Sequence, residues 1–307
     1  MLPVSASRTP RLPRIALILG LLAAVLAALL VPASPATTAA PDPRTDYYLI
    51  PQGCAGPART EAQVPKGCRL TPWVRGRPAV VLWGDSHAWQ QIPALIRAAK
   101  AERVNLTAFV MGKCPPAKVR IQKRYPGKCE QSNALALRYV RKRSQRGLPV
   151  QVVLGSHWAG FRQAYRRLFV THTTTPEELG YDAFDVRMVK LAGRRTEPLF
   201  PALRDTRARV ATIGQTATCQ KRADEAPFRC TMPRDDAILH EARTRRWLAD
   251  VSRRAPQIDV NKPFCGPSRC RGRVDGIYTF WDWGHLSLSR NRLMGPLFRP
   301  ALRSLRR

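Results

Sequence analysis

At 307 residues the chain has room for one large domain or two small ones, and one large domain is the simpler expectation. Its 52 lysines and arginines against 21 acidic residues give a net charge of +31, which draws a protein to polyanions. The charge is dispersed in short clusters such as Arg141-Lys142-Arg143 and Arg245-Arg246, with no nucleic-acid motif beside them, so acidic glycans and anionic lipids are the expected partners and nucleic acid is not.

The first predicted element is a targeting segment. Arg8, Arg11 and Arg14 precede an unbroken apolar run from Ile15 to Val31, short for a membrane span and long for the core of a signal peptide. Ser34-Pro35-Ala36 is a poor cleavage site, so residues 1–36 read as an uncleaved anchor, with a cleaved signal peptide as the alternative. The positive flank places the body outside the cytoplasm. Residues 37–77 then read as a linker rich in Pro, Ala and Thr, followed by a Gly/Pro/Cys-rich loop, and residues 78–307 as the folded domain.

A strand and helix rhythm starts at Ala79. Strands are predicted near 79–84, 105–111, 150–155 and 209–214, with a weaker fifth near Gln257 to Val260. Helices are predicted near 87–101, 130–146, 194–206 and Ser289 to Leu305. The alternation predicts an α/β fold, a parallel sheet with helices on both faces. Two stretches break the rhythm, 157–192 and 215–236, both after carboxyl ends of predicted strands, where they would form a pocket rim. Trp158 and Arg162 are the rim candidates, and a helix packing its aromatic side onto the core is the competing expectation.

Eight cysteines suit an oxidising compartment, where they would form four disulfides. Connectivity is open from sequence alone, but the residues fall into neighbours: Cys54 with Cys68, Cys114 with Cys129, Cys219 with Cys230 and Cys265 with Cys270. No Cys-x-x-Cys occurs and no histidine stands at ligand spacing from a cysteine, which argues against zinc or another metal.

Two motifs carry chemistry. Gly84-Asp85-Ser86-His87 follows the apolar run Ala79 to Trp83, so Ser86 falls at a strand-to-helix turn, where a hydroxyl and backbone N–H groups point out of the carboxyl edge of a sheet. Asp282-Trp283-Gly284-His285-Leu286-Ser287 lies near the C-terminus, and its spacing lets Asp282 orient the His285 imidazole. A serine hydroxyl needs a base, and the base needs a third group to fix its tautomer, so Ser86, His285 and Asp282 compose a catalytic triad. Asp85 is expected to brace the turn through hydrogen bonds to nearby backbone.

With Val81-Leu82-Trp83-Gly84-Asp85-Ser86-His87-Ala88 at one end, and Cys265, Cys270, Asp275-Gly276-Ile277-Tyr278 and Asp282 to Ser287 at the other, the chain resembles SGNH-type esterases. Within them it is most similar to the SGNH domain associated with acyltransferase family 3 membrane proteins, which O-acylate cell-surface glycans. The resemblance implies a three-layer α/β/α, flavodoxin-like fold behind the N-terminal anchor or signal helix. It also matches Met111-Gly112-Lys113-Cys114 to the block whose glycine N–H joins the Ser86 N–H in an oxyanion hole. Where SGNH hydrolases usually carry an asparagine after the third strand, this chain has Gly155-Ser156-His157-Trp158, which leaves His157 as the third candidate donor.

Three functions compete. The first is extracytoplasmic O-acyl transfer, most simply O-acetyl transfer, to a cell-surface glycan through an acyl-serine. The second is an esterase using water on the same acyl-enzyme. The third is a noncatalytic, anchored glycan-binding protein. No nucleotide- or CoA-binding motif is visible and no bound cofactor is expected. The acyl group must therefore come from a donor, and the resemblance implies a multi-span membrane acyltransferase as partner.

Overall fold

The computed structural model describes residues 41–42, 44–49, 69–112, 114–118, 128–159, 197–219 and 230–306, all within the unit Ala40–Arg307. The expected helix at 1–36, Cys54, Cys68, Arg162 and most of 157–192 lie outside the described residues. Among the described residues no helix is long and apolar enough to cross a membrane.

Five apolar runs become the strands β1 (Ala79–Gly84), β2 (Asn105–Val110), β3 (Val150–Gly155), β4 (Arg209–Ile213) and β5 (Gln257–Ile258). All pairings among them are parallel, in the order β2-β1-β3-β4-β5. Every residue of β1, β2 and β3 is buried, as strands covered by helices on both faces must be. Alternate residues serve opposite faces: Val80 and Leu82 join one core cluster, Val81 and Trp83 the other.

The helices are α1 (Ser86–Trp89), α2 (Ile92–Ala101), α3 (Lys128–Gln145), α4 (Leu199–Arg204), α5 (Arg234–Ala237), α6 (Glu241–Val251), α7 (Leu288–Leu293) and α8 (Gly295–Arg303). α2 and α8 bury Leu95, Ala98, Phe298 and Leu302 in the first cluster, and α3, α4 and α6 bury Val140, Leu203 and Leu248 in the second. The result is a three-layer sandwich. Its strand order is that of flavodoxin-like sheets, which bind ligands where the strand order reverses, between β1 and β3.

Of the three longest predicted helices, the one at 130–146 is continuous and the other two are broken. The one expected over 87–101 divides around Gln90 and Gln91, because Pro93 brings no N–H to the ladder and the Ala94 N–H donates instead to Asn291 Oδ1 (3.0 Å). The one expected over 289–305 divides at Met294, ahead of Pro296. The Arg292 carbonyl, which a helical residue 296 would have bonded, accepts from Arg97 Nη1 at 3.0 Å. α6 is absent from the sequence expectation: its arginines leave Thr244 and Leu248 as its only fully buried residues, too narrow a stripe to stand out.

Candidate active site

β1 ends in close contact with β3. Gly84 has φ +153°, and a Cβ there would lie 1.7 Å from the Gly155 carbonyl oxygen, so only glycine fits. The next residue, Asp85, is the N-cap of α1 and accepts from the His87 N–H at 2.8 Å. Ser86 is the first residue of α1, at the carboxyl edge of the sheet beside the β1/β3 reversal. On the other side, the Met111 N–H donates to the Gly84 carbonyl (3.0 Å) and brings Gly112 to the same edge. Among the described residues, neither the Ser86 nor the Gly112 N–H has a protein acceptor, which leaves both available to an oxyanion.

Asp282 and His285 meet in the turn before α7. His285 Nδ1 lies 2.8 Å from Asp282 Oδ2 and 3.0 Å from Oδ1, and Oδ1 also accepts from the N–H groups of Gly284 (2.7 Å) and His285 (2.6 Å). An ionised carboxylate only accepts, so Nδ1 carries the proton and Nε2 presents its lone pair. Nε2 is buried and makes no hydrogen bond, so the bond to Ser86 Oγ that a working triad requires is open in this state. The His285 turn is nevertheless fixed against the Ser86 helix: the Leu286 N–H donates to Gln90 Oε1 at 2.6 Å, and the His87 and His285 rings are 5.2 Å apart.

Asp85 does more than cap a helix. Its Oδ2 accepts from Ser156 Oγ (2.6 Å) and the His157 N–H (3.0 Å), which locks the end of β3 to the Ser86 turn. Burial pushes its carboxyl up to about 6 despite these three hydrogen bonds. His157 stacks on His87 with centroids 4.9 Å apart. Burial first, and then the repulsion a protonated His285 would exert, hold His157 down to about 4; burial holds His87 well below the ordinary imidazole range. Both rings are thus neutral at pH 7.

Trp158 is not a rim residue. Only 2% exposed, it donates from Nε1 to the Ile213 carbonyl (2.6 Å) and packs on Trp247 in the second core, because the chain turns inward after β3. Three of the neighbouring cysteine pairs are bonded, Cys114–Cys129, Cys219–Cys230 and Cys265–Cys270. The first holds the loop after Gly112 on α3, and the Cys219 N–H of the second reaches the Trp283 carbonyl at 2.7 Å. No group of three metal-ligating side chains exists among the described residues. A cleft of about 250 Å³ opens beyond β4 and β5 between Gln215, Glu241, Asp259 and Lys262, and no triad residue lines it.

Sequence reasoning missed Gln90, Ser156 and Asp46. Gln90 and Ser156 adjoin the motifs but carry no signal of their own beyond polarity at a position that becomes buried. Asp46 falls in the stretch expected to be spacer, yet it is buried and accepts from Ser289 N and Oγ (both 3.1 Å), while the Tyr48 carbonyl accepts from Trp89 Nε1 (2.8 Å).

A flavodoxin-like sheet with a serine at its β1 turn and an aspartate-histidine pair brought beside it defines an α/β protein of SGNH type. Residues 53–300 match the family described as the SGNH domain (fused to AT3 domains), and the chain belongs to that family. It is similar to the periplasmic domain of a Salmonella ser. Paratyphi A lipopolysaccharide acetyltransferase, at 16% identity over 80% of this chain and 90% of that one, with a TM-score of 0.48. It is also similar to a protein of Slackia heliotrinireducens assigned to the SGNH hydrolases, at 14% identity over 74% of this chain and 99% of that one, with a TM-score of 0.41. No curated protein matches the sequence.

Proposed function

We propose that this protein transfers an acyl group, in the simplest case acetyl, to a hydroxyl of a cell-surface glycan through an acyl-serine at Ser86. The observation that carries the proposal is the Asp282–His285 pair, with a buried, unbonded Nε2 held beside the Ser86 turn.

Ser86 Oγ attacks the acyl carbonyl and gives its proton to His285 Nε2, while the Asp282 carboxylate faces the imidazolium that forms. The N–H groups of Ser86 and Gly112 hold the tetrahedral oxyanion, with the neutral His157 ring as a third candidate donor. Collapse expels the donor's leaving group with the proton from His285, and acyl-Ser86 remains. A sugar hydroxyl then loses its proton to His285, attacks the acyl carbon and leaves as the ester, while Ser86 recovers its proton.

Three disulfides support a site outside the cytoplasm, where residues 1–36 would keep the domain at the membrane. The family's association with AT3 domains supports a membrane acyltransferase as donor partner, and the charge of +31 supports an acidic glycan as acceptor.

The test incubates the full chain, purified in detergent, with an activated acetyl ester and surface-glycan oligosaccharides, and follows acetylated sugar and free acetate by mass spectrometry. Acetylated sugar that disappears in Ser86→Ala is the expected result. Acetate alone makes the protein an esterase, and no Ser86-dependent product contradicts both.

A further inference from the structure

Every backbone N–H from Gly284 to Arg290 has an acceptor, and together these bonds fix the turn that carries His285 and the start of α7. Four are local: Gly284 and His285 donate to Asp282 Oδ1, Ser287 to the Thr279 carbonyl (2.9 Å) and Arg290 to Ser287 Oγ (3.1 Å). The Leu286 N–H goes to Gln90, and the last two go to a single residue 243 positions before Ser289. The Asp46 carbonyl accepts from the Leu288 N–H at 2.7 Å, and the Asp46 carboxylate accepts from the Ser289 N–H (3.1 Å to Oδ1) and from Ser289 Oγ (3.1 Å). The first N–H groups of a helix have no partner inside it, so Asp46 completes the cap that Ser287 begins.

The same segment reaches the Ser86 side. Trp89, the last residue of α1, donates from Nε1 to the Tyr48 carbonyl (2.8 Å), and both side chains pack on the first core cluster. Between these two attachments Tyr47 packs on Trp281, with centroids 4.9 Å apart. Trp281 in turn stacks on the His285 ring at 5.8 Å, and its N–H donates to the His285 carbonyl at 3.1 Å. The His285 ring thus has two ring neighbours, His87 and Trp281, and Tyr47 backs the second of them. Three consecutive residues touch α7, Trp281 and α1. Asp46 is only 6% exposed, and a carboxylate gives up water at a cost unless hydrogen bonds replace it, an arrangement that a mere tether has no use for.

We propose that residues 46–48 clamp the active site and that Asp46 is a positioning residue for His285. The clamp holds the helix that carries Ser86 and the turn that carries His285 in the relation that proton transfer between them needs. Asp46 touches no reacting atom and acts through the start of α7. The role rests on the reading of Ser86 as the acylated residue and His285 as its base. The stretch before the sheet, expected to be a spacer, is then part of the catalytic apparatus.

The experiment uses the full-length protein in detergent and two readouts. The first is the rate at which a fluorophosphonate probe labels Ser86: Oγ bonds to phosphorus, fluoride leaves, and the serine proton goes to His285, so the rate reports an activated serine whatever the natural acyl donor or acceptor. The second is hydrogen exchange in the peptide 285–290, followed by mass spectrometry. Asp46→Ala is expected to label about tenfold more slowly, with faster exchange at 285–290, and to lower kcat on 4-nitrophenyl acetate with KM unchanged. Asp46→Asn keeps an acceptor for the Ser289 N–H and recovers most of the rate. Trp89→Phe keeps a ring in the core and removes only the bond to the Tyr48 carbonyl; it slows labelling in the same direction and decides the matter if Asp46→Ala does not fold. Asp46→Ala and Trp89→Phe proteins that label at the parental rate overturn the positioning role and leave the functional reading standing. A parent that is not labelled at Ser86 contradicts the functional reading, and the catalytic role of Asp46 with it; faster exchange at 285–290 in Asp46→Ala would then still show that Asp46 holds the turn.

Discussion

Gln90 accepts the Leu286 N–H at 2.6 Å across 196 residues of chain, and through this bond the helix that begins with Ser86 holds the turn that carries His285. The same side chain donates from Nε2 to the His87 carbonyl (3.4 Å), which fixes its own orientation. It touches no reacting atom, so its role is positioning.

Gln90→Leu is expected to lower kcat about tenfold to a hundredfold with little change in KM, because small misplacements of a base are costly. Gln90→Glu keeps an acceptor for Leu286 N–H and should recover most of the rate. Steady-state kinetics on an activated ester checks this. A Gln90→Leu enzyme with normal kcat would show that the turn holds itself.

The carboxyl edge of the sheet makes different demands on Gly84 and Gly112. Gly84→Ala should cost more than about 3 kcal/mol, or prevent folding, because its Cβ would meet the Gly155 carbonyl at 1.7 Å and its φ of +153° is strained for any L side chain. A Cβ at Gly112 meets nothing within 4 Å, so Gly112→Ala should melt close to the parent. Thermal unfolding of the two variants decides the matter.

Acid stability follows from opposed groups. The Asp85 carboxyl is raised from 3.8 to about 6, so between these values the folded state binds the proton more readily and this group adds stability as pH falls from 6 toward 4. His157 is lowered from 6.5 to about 4, and His87 is lowered well below 6.5, so the unfolded chain takes their protons first and their contribution is lost as pH falls through this range. Asp85→Asn removes the compensating gain. Its unfolding free energy should therefore fall more steeply than the parent's between pH 6.5 and 4 in denaturant titrations; an equal slope would mean that Asp85 is ionised throughout this window in the native protein.

The disulfides should differ in weight. Cys114–Cys129 closes a separation of 15 residues and is expected to contribute about 3 kcal/mol, whereas Cys265–Cys270 closes 5 and contributes about 2. Replacing the first pair by serine should also lower kcat, because Gly112 lies two residues from Cys114. Stability and rate measured on the two double-serine variants separate these effects.

Much of the fold was legible in the sequence because β1, β2 and β3 are buried on both faces and therefore read as unbroken apolar runs. The contact between Asp282 and His285 was legible too, since a three-residue spacing in a turn leaves the carboxylate few other partners. What stayed hidden depends on residues far apart in the chain. The breaks at Gln90–Gln91 and Met294 owe their shape to Asn291 and Arg97, which replace backbone bonds from other helices. The docking of Asp46 on Ser289 has no local signal, and the burial of Trp158 follows from where the chain turns after β3 rather than from its own neighbours.

In the proposed mechanism Ser86 becomes acylated with His285 as its base. Rapid acid quench of the protein with 4-nitrophenyl acetate, followed by peptide mass spectrometry, tests it most directly. An acetyl adduct is expected on the peptide bearing Ser86, lost in Ser86→Ala and strongly reduced in His285→Ala. An adduct elsewhere, or one that forms on Ser86 equally well without His285, would contradict it.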